Sequence, residues 1–147
     1  MKRLLCVLVS VVLMLACFTA CNFHTTTNDS TGKTAADSLP QVEKLLSVLS
    51  SGNVEDALQM LHPDVQKNAN HAMQQNSAYM QGRKVTSVET LSCSVYTSKG
   101  TAGNIRQEKA SFKVTFGDGE VVAVSAVYHT DKAGAGFTTF QIVLGAI

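Results

Sequence analysis

"ASFKVTFGDGEVVAVSAVYHT", residues Ala110–Thr130, decides how the second half of this chain folds. In its first arm Ala110, Phe112, Val114 and Phe116 alternate with Ser111, Lys113 and Thr115. Successive side chains of a strand point to opposite faces, so this period predicts a strand with one dry and one wet face. Gly117-Asp118-Gly119 tolerates the positive φ of a tight reversal and predicts a hairpin turn. On the return, Glu120 to Thr130, one side carries Val122, Val124, Ala126 and Tyr128, and the other carries Val121, Ala123 and Val127. Apolarity on both sides predicts a strand in the interior of a sheet.

Working outward, Lys84 to Thr97 is rich in Val, Thr, Ser and Tyr and predicts a further strand, with a bulge near Glu89. A loop over Ser98 to Gly103 follows it. Asp131 to Gly136 turns the chain after the hairpin, and Phe140, Ile142 and Leu144 are expected to face inward on the last strand. Gly100, Gly103, Gly134 and Gly136 fall in these turns and form no phosphate-binding loop.

Before Lys84 the apolar period is that of a helix. Ser38 with Gln41 has the form of a capping box. Leu39, Val42, Leu45, Leu46 and Leu49 then recur at helical spacing until Gly52. Asn53 starts a second helix, with Glu55 and Asp56 favoured at the positive end of its dipole. Its apolar face is Val54, Ala57, Leu58 and Leu61, and Pro63 ends it. Asp64 caps a third helix that turns Val65, Ala69, Ala72, Met73 and Met80 inward and finishes at Gly82. Helices first and an antiparallel meander after them define an α+β domain over residues 38–147, helices packed on a curved sheet of about four strands. About 110 residues bury a core without disulfides.

The chain has 147 residues and a net charge of +1. Without residues 1–20, which carry Lys2 and Arg3, ten basic side chains face eleven acidic ones, a net charge of −1. No large basic field remains, which argues against nucleic acid as a partner.

Those twenty residues have the layout of an export signal. Met1-Lys2-Arg3 is a short positive stretch, and Leu4 to Phe18 runs fifteen residues without a charge. A spanning helix needs about 20 apolar residues, so this segment is short for a permanent anchor. Phe18-Thr19-Ala20-Cys21 places small residues directly before a cysteine, and so does Met14-Leu15-Ala16-Cys17. The segment resembles a bacterial lipoprotein signal, whose lipobox cysteine becomes the new N-terminus and carries a diacylglyceryl thioether. That resemblance implies cleavage between Ala20 and Cys21 and lipidation of Cys21, with Cys17 as the alternative. Phe18 departs from the usual Leu of the motif. Two or more acyl chains, at about 0.8 kcal/mol per buried methylene, hold a protein stably on a bilayer.

Residues 21–37 read as the lipidated N-terminus and a flexible linker, since Asn22 to Asp37 is small and polar with one Phe. A flexible chain of that length spans roughly 20–24 Å between its ends. Of the four cysteines, Cys93 alone lies within the domain, without a partner for a disulfide or a metal site, in an apolar strand pattern expected to bury it.

The helical stretch "LLSVLSSGNVEDALQMLHPDV" and the later "VTFGDGEVVAVSAVYHTDKAGAGFTTFQI" carry a second resemblance. Over Gln41 to Leu144 the chain resembles the NTF2-like, cystatin-like α+β cone, as found in domains of unknown function in exported bacterial lipoproteins. Gly136 and Phe137 stand where that family has Gly and Trp. The resemblance implies a pocket between sheet and helices, for which Met73, Tyr79, Phe112 and Tyr128 are the candidate lining. It implies either a binding module, an assembly domain that dimerises through its sheet, or a small isomerase or hydrolase.

The residues themselves favour binding over catalysis. Asp64, Tyr79, Tyr96, Tyr128 and His129 are the raw material for acid–base chemistry, but no pair has a spacing that forces proximity. His62-Pro63-Asp64 is explained as a helix boundary. His62 and His71 are not at a zinc spacing, and His129 is expected to face water. The expectation is therefore a lipid-anchored, extracytoplasmic envelope protein with no catalytic residues, metal or cofactor. Its partners are the membrane and a small apolar ligand, a peptide or an envelope protein, with a homodimer as the alternative.

Overall fold

The computed structural model describes residues 24–28, 35–100 and 103–145. The two candidate lipidation sites, Cys17 and Cys21, lie outside the described residues, as do the signal and most of the linker. Four helices precede the main sheet: α1 (Ser38–Ser50), α2 (Val54–Gln59), α3 (Pro63–Gln66) and α4 (Asn70–Met80). The sheet comprises β1 (His24–Asn28), β2 (Val85–Gly100), β3 (Gly103–Phe116), β4 (Val121–Thr130) and β5 (Ala135–Val143), antiparallel throughout and neighbouring in chain order. From Ser38 onward the order is the one read from the sequence, helices and then four antiparallel strands, but β1 joins the sheet from ahead of α1.

The decisive hairpin has the expected register. Phe112 stands opposite Val124 and Val114 opposite Val122, so one face of both strands is buried. Gly119 adopts φ +89 in the turn, which only glycine does without strain. β4 lies between β3 and β5 as expected, but only its Val122, Val124 and Ala126 face is buried; on the other face Ala123 and Val127 are half-buried and Val121 is exposed. Register shifts flank Glu89, between Val85 and Ser87 and between Thr90 and Ser92, and a third lies at Val127/Tyr128. Such irregularities bend strands and help the sheet curve over the helices.

Val42, Leu45, Leu46 and Leu49 of α1 are fully buried against Phe112, Phe116 and Phe137 of the sheet. Cys93 is buried with them, and burial pushes its thiol up from the ordinary value. Gly52, at φ +80, ends α1, and the Asn53 side chain accepts the Asp56 N–H at 3.1 Å to start α2.

Several local expectations are corrected. The start of α1 is not a Ser38–Gln41 capping box: Asp37 is the N-cap and makes no side-chain cap bond, while Glu108 of β3 accepts the Ser38 N–H at 2.9 Å. The helix expected from Asp64 to Gly82 is two helices, broken at Lys67–Ala69, and Pro63 opens α3 rather than closing α2. Asn68 and Asn70, weak helix formers, sit at or beside the break. Ala72, expected inward, is exposed, and Ser77 is buried instead. β2 and β3 continue to Gly100 and Gly103, so the expected loop from Ser98 is much shorter. Leu144 lies beyond β5 with 62% of its surface exposed. His24–Asn28, assigned to the linker, pairs with Val95–Lys99 along the sheet edge, and Ala35, also in the linker, is buried in the core.

Candidate functional site

Two places gather chemistry. The first is a groove of about 490 Å³ between the α3–α4 segment and β5. Leu61, Val65, Met73, Phe140 and Ile142 contribute apolar surface, and Gln75, Asn76, Thr138 and Gln141 the polar surface. The helix face arises because α4 turns Met73 inward and leaves Gln75 outward. The strand side is the consecutive run Thr138–Ile142, so the groove takes in the edge of β5 and not one face alone. Beyond β5 no further strand pairs with it among the described residues.

Of the four lining candidates, Met73 borders this groove. Phe112 is fully buried beneath the helices. Tyr128 packs edge-to-face on Phe137, with ring centroids 5.2 Å apart, and burial pushes its phenol up. Tyr79 is at the other end of α4, where its hydroxyl donates to Glu120 at 2.8 Å and the Arg83 guanidinium stacks on its ring. The structure does not bring these four together around one space.

A second cavity of about 390 Å³ lies where α1 meets the start of β2, bordered by Glu43, Ser47, Arg83 and Lys84. Its walls are strand backbone and surface side chains.

The second gathering is a cluster of side chains at the end of the sheet. The chain between α2 and α3 runs alongside β5: the His62 N–H donates to the Phe137 carbonyl at 2.9 Å, and the Phe137 N–H donates to the Met60 carbonyl at 3.1 Å. This close pass is possible because residue 136 is glycine. A Cβ there would lie 2.5 Å from the His62 nitrogen and the Leu61 carbonyl carbon. Gly136 is therefore a crossing point inside a strand rather than the turn glycine expected.

The crossing buries His62 and points its Nε2 at Asp131 Oδ1, 3.2 Å away. His129 Nε2 lies 3.2 Å from the other oxygen, Asp131 Oδ2. The two imidazoles meet edge-to-face at 5.0 Å. The Ala133 N–H donates to Asp131 Oδ1 at 2.7 Å and the Gly134 N–H at 3.3 Å. The Ala133 N–H above all, with the two histidines, holds the Asp131 carboxyl below its ordinary range. On its other side, His62 Nδ1 is 3.4 Å from both the Asp64 N–H and the Asp64 carboxylate.

His129 was expected in water; it is mostly buried, at 18% exposure, and faces Asp131. The sequence did not mark the cluster because His62 and Asp131 are 69 residues apart. The one local signal is His129-x-Asp131, which is common by chance.

No known protein family, curated protein or solved structure matches this chain. The fold places it in the α+β class, helices on one face of a curved antiparallel sheet.

Proposed function

We propose that this chain is an exported envelope lipoprotein, held on the membrane by acyl chains on Cys21 or alternatively Cys17, whose NTF2-like domain is a binding module and not an enzyme. Its ligand is an extended apolar segment of a peptide or protein partner. The observation that carries this reading is the groove beside β5. Its floor is apolar, its rim holds amides and hydroxyls, and it adjoins the edge of β5, which the Met60–His62 segment covers at Phe137 and which has no further strand neighbour among the described residues. Adding an extended segment to such an edge gives affinity through main-chain hydrogen bonds and specificity through alternate side chains. None of the residues lining the groove is ionisable, which favours binding over general acid–base chemistry there.

Metabolic labelling with an alkyne fatty acid tests the anchor: label is expected on the wild type and lost in Cys21→Ala or Cys17→Ala. Peptides selected from a display library against the full chain test the groove. Enriched peptides with alternating apolar residues are expected, and Val65→Lys is expected to abolish their binding. Failure to enrich, or binding indifferent to Val65→Lys, refutes the groove as the site. The same open edge accepts β5 of a second copy, and concentration-dependent light scattering would reveal that dimer instead.

A further inference from the structure

We propose that His62, His129 and Asp131 form a binding site for one divalent transition-metal ion, with zinc as the best-fitting candidate. The three residues reach the site from three segments: the start of α3, the end of β4 and the turn before β5. One ligand atom from each lies within 4.8 Å of the other two. Ligands bonded to a tetrahedral zinc ion at about 2.0–2.1 Å sit about 3.3 Å from one another. The two imidazole Nε2 atoms are already 3.2 Å from the oxygens of the single carboxylate. Closing on an ion therefore takes small side-chain rotations and no change of backbone.

The donor set selects the ion. Two imidazole nitrogens with one carboxylate suit zinc, ferrous iron, copper and nickel, whereas calcium and magnesium demand all-oxygen shells. Three protein ligands leave a fourth position for water or an exchangeable group, the arrangement of open rather than closed zinc sites.

The surroundings supply the support that metal histidines need. A ligating imidazole gives its other ring N–H to a carboxylate or carbonyl, which fixes its tautomer. For His62 that acceptor is the Asp64 carboxylate, 3.4 Å from Nδ1. In the metal-free state the Asp64 N–H faces Nδ1 and the imidazole proton sits on Nε2, toward Asp131. On binding, the ion displaces that proton from Nε2 to solvent, and the imidazole takes up a proton at Nδ1, which it donates to the Asp64 carboxylate. The Ala133 and Gly134 N–H groups keep Asp131 oriented in both states. The site is independent of the groove and would stand if no peptide bound there.

Zinc titration of the purified full chain, with accessible thiols alkylated, tests the proposal by competition with a chromophoric chelator. One equivalent should bind, and zinc should raise the thermal midpoint. His129→Ala and Asp131→Asn should each weaken binding at least as much as loss of an outer-shell partner does, about 10–100-fold. Asp64→Asn should weaken it by no more than that range. Far-UV circular dichroism of His129→Ala, whose ring is partly exposed, should match the wild type, so that the loss is a loss of ligand. Cobalt in place of zinc should give visible d–d absorption that His129→Ala removes. Stoichiometric binding that persists in the His129→Ala/Asp131→Asn double variant would overturn the assignment, and so would a wild type that binds no zinc more tightly than that variant.

Discussion

The Glu108 carboxylate, from the middle of β3, accepts both the backbone N–H and the hydroxyl of Ser38 at the start of α1, 70 residues earlier. It is 1% exposed, and the Asp37 N–H reaches it at 3.4 Å. An α-helix leaves its first N–H groups without internal partners, and a negative charge there also meets the positive end of the helix dipole. The sheet, not the helix's own sequence, thus caps α1. Arg106 reinforces the junction, with its Nε 2.5 Å from the Asp37 carboxylate and its Nη2 3.7 Å from Glu108.

Removing that cap should be costly. Glu108→Ala leaves two donors of Ser38 unpaired beneath the core, and hydrogen bonds to a charged group contribute about 1.5–3 kcal/mol. Urea unfolding should show a loss of that order, with a smaller loss for Glu108→Gln, which keeps an acceptor. Ser38→Ala removes only the hydroxyl and should cost less than Glu108→Ala. A midpoint unmoved by Glu108→Ala would mean that α1 is capped in some other way.

Phe112 separates a core from a pocket wall. It is fully buried between β2, β4 and the helices. Phe112→Ala should therefore lower stability by about 3–5 kcal/mol, as large-to-small changes in a packed core do. Met73 borders the groove as well as the core, so Met73→Leu, which nearly conserves volume, should cost less than about 1.5 kcal/mol. Thermal or urea unfolding of the two variants checks the contrast.

Gly136→Ala tests the crossing that builds the histidine cluster. The added methyl would overlap the backbone at Leu61 and His62, and backbone cannot step aside as a flexible side chain can. Overpacking typically costs about 1–3 kcal/mol, and here the backbone shift should bring the cost to the upper end. Amide exchange at His62 and Phe137, whose N–H groups pair across the crossing, should accelerate. A variant as stable and as protected as the wild type would show that the segments do not pass so closely.

What the sequence made legible is local and periodic. The alternation in Ala110–Phe116, the Gly117–Gly119 turn and the α1 stripe each depend on residues a few positions apart, and each reappears in the fold. Periodicity could not reveal Glu108: a carboxylate between Arg106 and Ala110 on one face of a strand reads as the wet end of that face and gives no hint of the helix above it. Gly136 misled because glycine marks a turn or a close approach with the same letter, and only the chain crossing over it distinguishes them. The His62–Asp131–His129 cluster joins residues from opposite halves of the chain, so its signal exists only after folding. The groove was half legible. Helical spacing turned Met73 inward and the resemblance made it a candidate lining residue, whereas Phe140 and Ile142 became its opposite wall once β5 was set beside α4.

Glu120, Arg83 and Tyr79 form a pH-sensitive clasp between the end of α4 and the β3–β4 turn. Arg83 Nη1 bonds Glu120 Oε2, and the Tyr79 hydroxyl donates to Oε1 at 2.8 Å. The Arg83 hydrogen bond first, and the Tyr79 bond second, hold the Glu120 carboxyl below its ordinary value of 4.5. Because folding lowers this value, the clasp stabilises the fold at pH above 4.5 and loses its contribution as Glu120 takes up a proton below that. Burial, and next the bond to Glu120, push the Tyr79 phenol above its ordinary 10.0. Its share is accordingly present below pH 10 and lost as the pH rises through the elevated value. These side chains are partly solvent-exposed, so salt should weaken the clasp. The difference in thermal midpoint between wild type and Glu120→Gln should be greatest near neutral pH at low salt and should shrink as the pH falls below 4.5. A difference that stayed constant down to pH 3 would show that the Glu120 charge contributes nothing to holding α4 against the sheet.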